Sequence, residues 1–140
     1  MPAGYSGTPL PKKLGITKSS RVALIGAPSE YESLLGKVPA GAVLGASLSQ
    51  KTDLVHVFVT QRKELAAHLA MLRRKLRDDA AVWVSWPKKS SKVATTVTED
   101  VIRELAIPLG FVDIKVCAVS EVWSGLKLVV RKELRGKRAG

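Results

Sequence analysis

The chain is poor in several residue types that small proteins use to stabilise themselves or to do chemistry. It has one cysteine, Cys117, in 140 residues. An internal disulfide and a cysteine-rich zinc site are therefore excluded. Histidines number two and aromatic residues make up 5% of the chain, too few for an extended base-stacking platform. No apolar run approaches the roughly 18–20 residues needed to span a bilayer. Residues 1–20 carry Lys12, Lys13 and Lys18 among Gly, Pro, Ser and Thr, without the apolar core of a secretory signal. These absences lead us to expect a soluble, cytoplasmic, membrane-free protein. Acidic residues are also scarce, at 12 against 23 Lys and Arg, which leaves a formal charge of +11. Such an excess favours a polyanionic partner.

What is present describes one globular domain. Hydrophobic residues make up 46% of the sequence and mean hydropathy is +0.08. A chain of this length buries enough surface, roughly 68–70%, to fold without a metal. Residues 21–26 form a short apolar run ended by Gly26 and Pro28, which predicts a buried strand. Ser29 to Glu32 has the spacing of a capping box and predicts a helix closed by Gly36. Residues 42–47 predict a weak second strand. Residues 53–59 predict a strand covered on both faces, because its hydrophobicity is continuous.

Leu65, Leu69, Leu72 and Leu76 make one stripe of a helix over residues 61–77, with Thr60 as its expected cap. Residues 81–86 predict a further strand, stopped by Pro87. Thr98, Glu99 and Asp100 open a third helix with a cap and a favourable dipole. Alternation over residues 112–118 and 126–131 predicts an antiparallel pair with one buried face, turning through residues 120–125. Strands alternating with helices mean a three-layer, Rossmann-like α/β fold around a mainly parallel sheet, with that antiparallel pair at its C-terminal end. The expected organisation is an N-terminal arm over residues 1–20, the α/β domain over 21–132 and a basic tail over 133–140. The link over residues 48–52 is too short for a crossover helix. It makes the second strand either an edge strand returned by an extended segment or no proper sheet member.

Several segments resemble a bacterial family known as the domain of unknown function 3052. They are Gly4-Tyr5-Ser6-Gly7-Thr8-Pro9-Leu10 with Lys12-Lys13-Leu14-Gly15-Ile16, Val84-Ser85-Trp86-Pro87-Lys88-Lys89, Thr98-Glu99-Asp100-Val101, Lys115-Val116-Cys117-Ala118-Val119, and Trp123-Ser124-Gly125-Leu126-Lys127-Leu128-Val129. The resemblance implies a small bacterial cytoplasmic protein and brings no reaction with it. The order of elements is also similar to a shortened S-adenosylmethionine-dependent methyltransferase. That cofactor needs several glycines after the first strand, so that backbone amides can approach it. This chain offers Gly26-Ala27-Pro28-Ser29, with one glycine and a proline that has no N–H. Residues 46–50 also lack an acid for the ribose hydroxyls. We therefore expect no cofactor.

No catalytic constellation is evident. His56 sits in mid-strand and reads as a core histidine with one satisfied nitrogen, and His68 lies at the margin of a helix stripe. Cys117 alternates with apolar neighbours and has no base to activate it. The most suggestive segment is Trp86-Pro87-Lys88-Lys89-Ser90-Ser91-Lys92. A parallel strand would deliver this loop to the carboxyl edge of the sheet, where α/β folds bind ligands. Lys88, Lys89, Lys92 and Arg62, with the helix starts at Ser29 and Thr98, are the expected anion-binding set. Trp86, Trp123, Ser124 and Lys127 are the expected interaction residues, Trp123 being able either to stack on a partner or to fold back on the core. The expected partner is an anionic ligand or nucleic-acid phosphate, with a protein partner or a second copy as a further possibility. The leading reading is a non-catalytic binding module. The alternatives are a minimal or degenerate methyltransferase and a nonspecific nucleic-acid-binding protein. Part of the charge is separable, since without residues 131–140 the chain keeps 18 basic and 11 acidic residues.

Overall fold

A computed structural model of the protein describes residues 8–136. The N-terminal residues 1–7 and the tail residues 137–140 lie outside that range. Six strands form one sheet: β1 (Arg21–Ile25), β2 (Val43–Gly45), β3 (Leu54–Phe58), β4 (Ala81–Pro87), β5 (Phe111–Ala118) and β6 (Trp123–Val130). Their order is β2-β1-β3-β4-β6-β5. The first four strands are mutually parallel, and β6 enters antiparallel between β4 and β5. Helices α1 (Leu10–Leu14) and α2 (Tyr31–Leu35) cover one face, and α3 (Arg62–Lys75) and α4 (Glu99–Ala106) cover the other. The protein is thus a three-layer, Rossmann-like α/β fold with an antiparallel pair at its C-terminal end.

The strong elements form for the reasons their patterns suggest. Every residue of β3 is buried, as its position between β1 and β4 under two helical layers demands. Leu65, Leu69, Leu72 and Leu76 all face the core formed by Val55, Val57, Val82 and Val84. Thr98 caps α4 by accepting from the Val101 amide at 3.2 Å.

β2 is a sheet member at the edge, and an extended link returns the chain across the end of β1. Thr52 and Asp53 fix this link. The Asp53 amide donates to the Arg21 carbonyl at 2.8 Å, and the Asp53 carboxylate accepts from the Arg21 amide at 2.8 Å and from the Arg77 guanidinium. Arg77 also donates to the Gln50 and Thr52 carbonyls at 3.1 and 3.0 Å. Burial pushes the Asp53 carboxyl up, but the bonds from Arg77 and the Arg21 amide outweigh it and hold it below its ordinary value. A clamp of charged hydrogen bonds replaces the helix that a crossover would have needed.

Both described ends of the chain pack on the domain, and two expectations, on the alternation of β5 and on the turn of its hairpin, need correction. Leu10, Leu14 and Ile16 are buried, and the Trp83 indole donates to the Leu14 carbonyl at 2.9 Å. The start of the tail is likewise tied down, since Leu134 packs on the α3–α4 core and the Gly136 amide donates to Asp78 at 2.8 Å. Finally, alternation fails in β5: Ile114 and Val116 are each 56% exposed. An irregularity between Asp113 and Lys115 breaks the period, and β5 is an edge strand that α4 only partly covers. The hairpin turns over residues 119–122, so Gly125 lies within β6 rather than in the turn. A side chain there would sit 3.2 Å from the buried Trp83 ring.

Candidate functional site

The carboxyl edge gathers the ends of β1, β3 and β4 with the start of β6. Pro87 pairs in register with Trp123, and the Lys88 amide donates to the Val122 carbonyl at 2.8 Å. Lys88 then begins a tight turn. Its carbonyl accepts from the Ser91 amide at 3.1 Å and the Ser91 hydroxyl at 2.6 Å. Lys92 closes the turn in the left-handed region at φ +61°, with its amide on the Lys89 carbonyl. Lys89 and Lys92 are exposed and Lys88 is half-buried. The turn therefore presents three lysines on a short frame at this edge.

The other members of the expected anion set behave differently. Arg62 forms an exposed ion pair with Glu104 at 2.8 Å. The Arg62 amide, at the start of α3, donates to the Thr96 hydroxyl at 2.7 Å. Thr60 caps nothing; its carbonyl instead accepts from Thr95 and Thr96, which strap the following loop across the edge. Thr98 spends its hydroxyl oxygen on its own helix. The capping box at Ser29 does not form. The Tyr31 amide donates to the Pro28 carbonyl at 3.0 Å, which turns the chain over Ser29 and Glu30 and delays the helix to Tyr31, with no side-chain cap. The Arg62 and Val101 amides are thus both engaged within the chain.

On the α1–α2 side of the same edge an aromatic cluster fills the space. His56 stacks on Phe58 with centroids 4.3 Å apart, and Tyr31 and Trp123 meet Phe58 edge-on at 5.5 and 5.0 Å. Trp123 is therefore folded back on the core. Trp86 is buried in the opposite core, beneath α3 and α4. Ser124 stands beside Trp86 in the β4–β6 register, and Lys127 stands beside Trp83.

Sequence reasoning missed the partners of His56. Its Nδ1 lies 2.8 Å from the Tyr31 hydroxyl and its Nε2 lies 2.7 Å from the Ser85 hydroxyl. Both nitrogens are satisfied, not one. Burial pulls the His56 pKa down to about 3 and pushes the Tyr31 hydroxyl above the ordinary tyrosine value. The imidazole is neutral, and each hydroxyl can donate or accept to suit its tautomer. A serine, a base and an orienting hydroxyl resemble a nucleophilic triad in connectivity. However, Ser85 and His56 have no exposed surface. No substrate reaches them, and the relay is a satisfied polar core. The available signal was positional: His56 and Ser85 lie on one face of adjacent parallel strands, two residues apart in register.

The order of strands reverses between β1 and β3, which is where an open α/β sheet holds a cofactor. There Gly26 is pressed against β3. Its φ is +67°, and a Cβ would stand 2.7 Å from the Phe58 carbonyl oxygen. The close packing of β1 on β3 therefore requires glycine at this position. Pro28 follows without an N–H, and the segment after β2 has no acid. These residues do not fit S-adenosylmethionine. Among the described residues, no group of three potential ligands is placed to hold a metal, and no helix is long and apolar enough to cross a membrane.

Several solved structures share the fold. The pre-rRNA processing protein fibrillarin of Methanococcus jannaschii aligns with TM-score 0.60 and 10% identity, over 91% of this chain and 70% of its own. A protein described as a type 11 methyltransferase from Sulfolobus solfataricus aligns with TM-score 0.63 and 12% identity, over 94% and 95%. The M1A22 tRNA methyltransferase of Bacillus subtilis aligns with TM-score 0.59 and 11% identity, over 91% and 67%. At such identities the likeness establishes the fold alone. No curated protein matches the sequence. A family model described as "Protein of unknown function (DUF3052)" matches residues 35–132.

Proposed function

The chain belongs to the DUF3052 family, and we propose that it is a non-catalytic binding module on a methyltransferase-like fold, taking a phosphate-bearing anion at the carboxyl edge. The observation that carries this reading is the turn bearing Lys88, Lys89 and Lys92, none of which forms an ion pair among the described residues. A cationic rim of this kind binds phosphates in a salt-sensitive way and without sequence readout. Replacing Lys88 and Lys89 together with Ala should weaken binding of a labelled single-stranded oligonucleotide. The slope of log affinity against log salt should become shallower by roughly 0.7 for each phosphate the variant no longer neutralises. Identical salt titrations for variant and wild type would sink the proposal.

A second reading is a minimal methyltransferase with an atypical cofactor loop, favoured by the fold of the structural neighbours. Calorimetry with S-adenosylmethionine separates the two. Binding heat at micromolar concentration would overturn the first reading in favour of the second.

A further inference from the structure

The amino end of the sheet carries an apolar recess in which the Lys88 turn has no part. It lies where α1 meets the segment leading from α2 to β2, and its volume is about 550 Å³. That size suits a small-molecule ligand. The buried Pro11 and Ile16 and the half-buried Val38 line it with apolar surface, and the exposed Ala40 stands at its rim. Both walls are fixed before any ligand arrives. On one side, the Pro11 ring holds φ in the first turn of α1, and the Ile16 amide donates to the Pro11 carbonyl at 2.9 Å. On the other, the Ala42 amide donates to the Pro39 carbonyl at 3.1 Å. The backbone of Gly41 in that turn lies so close to the preceding segment that a Cβ would stand 2.5 Å from the Lys18 carbonyl oxygen. A preformed recess spares a ligand the cost of ordering it.

Polar groups are few here and of one kind. Lys12 belongs to the α1 wall and Lys37 to the facing one, and no carboxylate lines the recess. Neither lysine forms an ion pair among the described residues. Thr17 is the remaining polar side chain, and its hydroxyl already lies 3.1 Å from that of Ser20. A polyphosphate placed here would bring charges against apolar walls that give them no partner. An apolar body with a single anionic end matches both the lining and the charge. We propose that this recess binds a small apolar monocarboxylate of the medium-chain fatty-acid class. Its chain would lie against Pro11, Ile16 and Val38, with its carboxylate at the Lys12 and Lys37 ammonium groups. The recess shares no residue with the Lys88 turn.

The test uses the full chain and sodium decanoate, followed by calorimetry and by displacement of the fluorescent probe anilinonaphthalene sulfonate. Decanoate should bind saturably below its micelle concentration and displace the probe. Octanoate, two methylenes shorter, should bind about tenfold more weakly, as burial of the chain requires. Ala40→Trp fills the mouth from an exposed position, so it should weaken decanoate binding at least several-fold without lowering the melting temperature. Lys37→Gln should weaken decanoate and leave decanol unchanged, a split that a loss of packing would not produce. The Lys88→Ala, Lys89→Ala double variant should bind decanoate as wild type does, so failure of the carboxyl-edge reading leaves this result standing. Absence of saturable decanoate binding overturns the proposal, as does equal binding of octanoate and decanoate or an Ala40→Trp chain that binds like wild type. Tighter decanoate binding by Tyr5→Ser would give the recess to the chain's own first residues. Dissociation of a wild-type dimer by Ala40→Trp would give it to a second copy. Either result also overturns the proposal.

Discussion

At the scale of single residues, the buried Tyr31–His56–Ser85 relay makes the sharpest prediction. A buried polar group stripped of its partner costs about 1–3 kcal/mol. Tyr31→Phe leaves Nδ1 of His56 unsatisfied and Ser85→Ala leaves Nε2 unsatisfied, so each should lower stability by about that much in urea unfolding. The double variant should cost less than the sum, because both partners act on one imidazole. The same residue governs acid sensitivity. His56 has its folded pKa depressed from 6.5 to about 3 by burial, so the unfolded chain binds a proton that the folded chain refuses. This contribution is fully present above 6.5 and is lost progressively as pH falls towards 3. Asp53, also lowered, adds a loss that begins only below its ordinary value of 3.8. The urea midpoint of the wild type should therefore fall steadily from about pH 6 to about pH 4, and His56→Gln should flatten that slope while lowering the plateau. An unchanged slope in the variant would show that His56 is not the group responsible.

At the scale of elements, legibility followed burial. β3 and the leucine stripe of α3 were readable because one rule, covered on all sides or covered on one stripe, held along their whole length. Thr98 was readable because its cap is local, closed within three residues. The cap at Ser29 failed for the complementary reason, since a Pro28 carbonyl competed for the Tyr31 amide and moved the helix start. Alternation misled in β5, where the pattern promised a buried face and the edge position withheld the cover. Val116 pairs with Leu126 in register, yet it is exposed while Leu126 is buried. Val116→Thr should therefore change stability within about 0.5 kcal/mol, as exposed substitutions do. Leu128→Ala, in a fully buried position of the neighbouring strand, should cost about 2–5 kcal/mol. Equal costs in chemical denaturation would mean that β5 is covered in solution. Of the candidate sites, the cationic turn was legible from Pro87 and its lysines. The His56 relay was not, because it joins residues far apart in sequence through strand register.

At the scale of the whole molecule, the formal charge of +11 acts on stability and on binding with opposite signs. Self-repulsion opposes the compact state, and dissolved salt relieves it. Between about 0.01 and 0.1 M salt the Debye length falls from about 30 to about 10 Å, so distant lysines stop sensing one another. The melting temperature should rise over that range. Oligonucleotide affinity should fall over the same range, because released counterions drive it. The Lys88→Ala, Lys89→Ala variant joins the two trends. Removing two positive charges that form no ion pair among the described residues should raise the melting temperature in low salt, and the gain should shrink as salt is added. Its oligonucleotide affinity should be lower throughout. Higher stability with weaker binding in one variant would mean that the lysines are kept for a ligand at the expense of the fold. Lower stability in low salt would instead assign them a structural role in the turn.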